Sequence, residues 1–109
     1  MVNQTQHLLL CLGIPSTYLG FRYLTYAVHL CLQNEDYLTS VYKTLYTDIV
    51  GHFETSRQNV EHCIRAAVSR CWYHGNREML LQIAKYPLMM KPTNSEFIDI
   101  LYHHLKNSV

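Results

Sequence analysis

The sequence predicts an all-α fold of about six helices arranged around a central helix-turn-helix. In overall role this is like a winged helix, but without a wing. Three observations carry the prediction. Apolar residues recur at Tyr42, Leu45, Tyr46, Ile49, Val50 and Phe53, which is helical spacing. Two stretches, "TSRQ" at 55–58 and "TNSE" at 93–96, have the spacing of a capping box. No segment alternates apolar and polar residues with turn signals at its ends, as strands would require.

The elements follow in order. Residues 3–12 form a short helix stopped by Gly13. Ser16 is a plausible N-cap for a helix over 17–33, whose Leu19, Tyr23, Ala27, Leu30 and Cys31 line a core face. "NED" at 34–36 interrupts the pattern, and the next helix runs from about Thr39 to Phe53. After the short gap "ET" a helix begins near Ser56, capped by Thr55 or by Ser56 itself, and continues to His74 before Gly75. A short helix covers 77–85, an irregular "YPLMMKP" follows, and the last helix starts after Thr93 with Phe97, Ile98, Leu101 and Leu105 as its stripe.

Composition narrows the function classes. The 109 residues are 49% hydrophobic, which suits one domain with one packed core. No apolar run approaches the roughly 18 residues that cross a membrane. "MVNQTQHLLLCLG" lacks the basic flank of a signal peptide, so a soluble cytoplasmic chain is expected. Cys11, Cys31, Cys63 and Cys71 fall in apolar helical patterns and read as buried free thiols. Cys71 and His74 have no second ligand pair, so no metal is expected. No cofactor is expected either, and with no nucleophile elbow or phosphate loop the chain does not read as an enzyme.

The net charge is only +1, a thin excess for a nucleic-acid binder. Between Lys43 and Arg77, however, five basic residues stand against three acidic ones, and His52, His62 and His74 add groups that charge readily near phosphates.

The paired helices 39–53 and 56–74 have the outline of a helix-turn-helix, in which the second helix enters the major groove of double-stranded DNA. Val60, Ile64, Ala67, Val68 and Cys71 fall on one side, and Gln58, His62, Arg65 and Ser69 fall opposite. Arg65 suits a bidentate contact to guanine, and Gln58 or Asn59 a contact to adenine. Glu61 suits a cytosine amine or the orientation of Arg65. Gln58, Asn59, Glu61, His62 and Arg65 are therefore the expected base readers. Ser56, Arg57, Ser69, Arg70 and Lys91 are the expected phosphate contacts.

The blocks "LGFRYLTYAV" (19–28), "TSRQNVEHCIRAAV" (55–68), "WYHGN" (72–76) and "KPTNSEFI" (91–98) resemble, in this order, the C-terminal effector domain of the master sporulation response regulators of Firmicutes. The resemblance spans about residues 8–106. It implies a six-helix domain that binds a short DNA box, often in tandem copies, pairs on that DNA, and touches a sigma subunit of RNA polymerase. Glu61 and Arg65 match the family's base-reading Glu and Arg. Asn59 and His62 stand where the family has Arg, Ala66 stands where it has His, and the segment 76–91 is shorter. Residues 1–109 read as a single effector domain without the receiver domain that precedes it in the parent regulators. The alternative function is a protein-interaction domain of the same fold with weakened DNA binding, which titrates a regulator or holds a sigma factor.

Overall fold

A computed structural model of the chain describes residues 3–107. Six α-helices make up the fold, and there is no strand among the described residues: α1 (Gln4–Cys11), α2 (Leu19–Gln33), α3 (Tyr46–Phe53), α4 (Arg57–His74), α5 (Arg77–Ile83) and α6 (Asn94–Lys106). The all-α expectation holds. Among the described residues, no helix is long and apolar enough to cross a membrane.

Local chemistry sets most of the boundaries. Asn3 and Gln6 cap each other's backbone at the start of α1, and Thr93 and Glu96 do the same at the start of α6. α1 ends through Leu12 into Gly13, whose φ of +88° is a conformation that L side chains rarely adopt. Ser16 does not cap α2. The Tyr18 amide donates to the Pro15 carbonyl at 3.1 Å, closing a turn, so the helix begins only at Leu19. α5 ends at Ile83 rather than Lys85.

The largest difference from the expected elements lies before α3. A continuous helix from Thr39 is replaced by a 3₁₀ turn at Glu35–Thr39 and a π turn at Val41–Leu45. The hydroxyls of Thr44 and Thr47 donate back to the carbonyls of Ser40 and Lys43, competing with regular helical pairing. The wider π turn lets Val41, Leu45, Tyr46 and Ile49 all face the core, and it turns Tyr42 outward. The periodic stripe placed Tyr42 inside; it is exposed.

α4 lies along α2, braced by α3 at one end and α6 along its flank. Val60, Ile64, Ala67, Val68 and Cys71 are fully buried, as the stripe predicts. A side chain at Gly20 would run into the Cys63 carbonyl and the Ala67 methyl, so α2 and α4 touch backbone to backbone there. At the far end of α4 the chain meets α1: the Asn76 amide donates to the Leu12 carbonyl at 2.9 Å. A Cβ on Gly13 would fall 2.7 Å from the Gly75 Cα. Gly75 itself has φ −110°, so close approach rather than a left-handed turn demands glycine there. Cys31 and Cys71 are buried thiols as expected and Cys63 is half-buried. Cys11 faces outward beside His7, because the last turn of α1 presents it away from the core.

Candidate nucleic-acid interface

α3 and α4 are separated by three residues, Glu54, Thr55 and Ser56. Glu54 takes the left-handed conformation (φ 54°, ψ 55°), which reverses the chain tightly enough for α4 to start beside the end of α3. Ser56 is the cap: its Oγ accepts from the Asn59 amide at 3.1 Å. The Thr55–Gln58 box does not form, because the Thr55 hydroxyl accepts instead from the Asn59 side chain at 2.9 Å.

Along the exposed side of α4, Gln58, His62 and Arg65 share a strip with Glu61 at its edge. Arg65 Nη2 lies 3.4 Å from Glu61 Oε1, a pair four residues apart and open to water. Such a pair contributes little to stability, but it restrains where the guanidinium points. The outer side of the helix carries no bulky aliphatic side chain, whereas the opposite side is entirely buried.

Asn59 stands apart from this strip. At about 100° per residue it falls on the flank towards α2. Its Nδ2 donates to the Tyr23 hydroxyl at 3.2 Å as well as to Thr55, and its Oδ1 receives the Cys63 thiol at 3.6 Å. Its amide fastens the first turn of α4 to α2.

The five residues expected at phosphates lie at three places. Ser56 and Arg57 sit at the start of α4. The Arg57 guanidinium donates to the Thr47 hydroxyl and lies 5.9 Å from the centroid of the Tyr42 ring, joining the two helices of the pair. Ser69 and Lys91, 22 positions apart, meet directly: Lys91 Nζ donates to Ser69 Oγ at 2.9 Å. Arg70 is half-buried on the α2 flank, and its Nε is buried without a hydrogen-bond partner among the described residues.

Two features of this face escaped the sequence pattern. Tyr73, 61% exposed, continues the strip one turn beyond Ser69, with Lys91 Nζ 5.9 Å from its ring centroid. Helical arithmetic from Ser69 would have found it. Asn94, the first residue of α6, is buried and donates to the Glu61 carbonyl and to the Tyr46 hydroxyl, both at 3.1 Å. Burial pushes the Tyr46 phenol up, against the opposing pull of the Asn94 bond. No spacing rule in the sequence announces that contact. Among the described residues, no group of three or more His, Cys, Asp or Glu side chains is placed to hold a metal ion.

The family described as Sporulation initiation factor Spo0A C terminal matches residues 5–105.

Proposed function

The chain belongs to the sporulation initiation factor C-terminal family, and from that premise we propose that it is a sequence-specific DNA-binding regulator of transcription, acting in the cytoplasm, with α4 in the major groove. The observation that carries the reading is the two-sidedness of α4. One side is completely buried, and the other offers Gln58, Glu61, His62 and Arg65 from its first half. Arg65, restrained by Glu61, is the guanine reader; Glu61, His62 and Gln58 reach neighbouring base edges. Asn59 serves from behind, holding the helix start to α2. Ser56 and Arg57 at one end, Lys91 with Ser69 at the other, and Arg70 on the flank face the two backbones. Pairing of two copies on tandem boxes and contact with a sigma subunit complete the proposal.

A second reading has its own observation. Met89 and Met90, 89% and 74% exposed, project from the loop between α5 and α6 in a chain of net charge +1. A domain that binds a protein partner in place of DNA would present such a surface.

Fluorescence anisotropy with a labelled tandem-box duplex and a scrambled one, at about 50 and 200 mM salt, separates the two. The DNA reading expects a preference for the box, which Arg65→Ala reduces by about 1–3 kcal/mol with relaxed choice at one base pair. Because the Glu61–Arg65 pair is exposed, the same variant should melt within about 0.5 kcal/mol of wild type. Equal, weak binding to both duplexes favours the protein-partner reading.

A further inference from the structure

Beside the start of α4 lies a cluster that the reading of α4 leaves unused. The rings of Tyr26 (α2) and His52 (last turn of α3) are stacked, with centroids 4.0 Å apart and planes 13° apart. Phe53 meets Tyr26 edge-on at 5.7 Å, and the His29 ring lies 6.2 Å from that of Tyr26. An open cleft of about 320 Å³ runs over this floor, with Arg22 and His29 on its wall. Arg22, His29 and His52 are all exposed. The ion pairs among the described residues, Glu61–Arg65, Asp99–His103 and Glu35–Lys106, involve none of the three. The acid one turn before His52, Asp48, is engaged by the Tyr37 hydroxyl.

The position of the cluster gives it meaning. Tyr23, the neighbour of Arg22 on α2, bonds Asn59 in the first turn of α4 and packs edge-on against Phe53 at 5.1 Å. The same Phe53 abuts Tyr26 and ends α3 just before the turn into α4. The donors therefore flank the end of α4 that reads bases. Arg22 and His29 are two helical turns apart, about 10 Å along α2. That spans more than one phosphate of a strand rising about 3.4 Å per nucleotide. A histidine laid flat on a tyrosine directs its ring N–H groups sideways, towards solvent. An open cleft with Arg22 and His29 on its wall, beside the His52 that stacks on Tyr26, suits an extended polyanion better than an enclosed small ligand.

We propose that Arg22, His29 and His52 form a second backbone-binding strip, which grips DNA phosphates flanking the box that α4 reads. The inference rests on the proposed role of α4. His52 lies stacked on Tyr26 beside the other two. The strip touches no base, so it adds affinity and salt dependence but no sequence choice.

The test compares wild type, Arg22→Ala, Arg22→Ala/His29→Ala and Arg65→Ala on a duplex with long flanks and on one trimmed to the box. Binding is measured by anisotropy across a salt series. On the long duplex, the slope of log affinity against log salt should flatten by about 0.9 once Arg22 no longer neutralises a phosphate, with the preference for box over scrambled DNA unchanged. On the trimmed duplex the Arg22 variants and wild type should converge, and Arg65→Ala should do the reverse, losing preference with its slope nearly kept. Arg22 and His29 are exposed, so unchanged melting curves verify the fold. Wild-type slopes in both Arg22 variants, while wild type itself prefers the box, would overturn the strip alone. A wild type that binds neither duplex would overturn the strip together with the reading of α4.

Discussion

The Asn94 side chain donates to the Glu61 backbone carbonyl at 3.1 Å, so the first residue of α6 holds the middle of the candidate reading face from inside. The same amide donates to the Tyr46 hydroxyl, and three helices converge on one buried group. Asn94→Ala should leave that hydroxyl and one lone pair of the carbonyl without a partner, at a cost of about 1–3 kcal/mol. Thermal denaturation should show a fall of roughly 4–8 °C per kcal/mol for a domain near this size. Tyr46→Phe, which keeps the Glu61 bond, should lose less; an unchanged melting temperature in Asn94→Ala would mean that the amide clamps nothing.

Two glycines should respond in opposite senses to the same substitution. Gly20→Ala forces a methyl into the Cys63 carbonyl, where the obstacle is backbone, and should destabilise by about 1–3 kcal/mol. Gly51→Ala places its methyl in open space within α3 and should stabilise by about 0.5–1 kcal/mol. Denaturant midpoints for the two variants check both signs.

Acid should weaken one tie between the 3₁₀ turn and α6. Glu35 accepts from the Tyr102 hydroxyl at 2.8 Å and from Lys106 at 3.3 Å, and first the Tyr102 bond, then Lys106, hold its carboxyl below the usual glutamate range. A group with a depressed folded pKa contributes stability above its unfolded value, about 4.3, and loses it as pH falls through the folded value. Glu35→Gln should therefore melt below wild type at neutral pH, with the two curves merging in acid. A gap that persists or widens in acid contradicts the assignment.

The cysteines should separate by reactivity. Burial pushes the Cys31 thiol up to about 12 and the Cys71 thiol to about 11, and it raises half-buried Cys63 as well. Iodoacetamide at neutral pH should label exposed Cys11 first, with Cys31 and Cys71 labelled only on unfolding, as read by peptide mass spectrometry.

What the sequence makes legible is what local rules govern. The Thr93–Glu96 box, the buried stripe from Val60 to Cys71 and the exposed strip of Gln58, His62 and Arg65 each follow from residues within a few positions of one another. The π turn at Val41–Leu45 does not, because an inserted residue keeps the apolar content and changes only the phase. Asn59 reads as a surface amide until Tyr23, 36 positions away, supplies the hydroxyl it meets. The Ser69–Lys91 contact joins two residues whose places, on α4 and just before α6, marked them as separate phosphate contacts.

The glycine contacts at the two helix crossings have a mechanical consequence. α4, 18 residues and about 27 Å long, behaves as a beam with one end seated on Gly13 and a bearing at Gly20 part-way along. A side chain added at the seat would push that end away and load the ties that hold the other, Asn59 to Tyr23 and Arg57 to Thr47. The line of the helix thus depends on two points where the chain carries no side chain at all, Gly13 and Gly20.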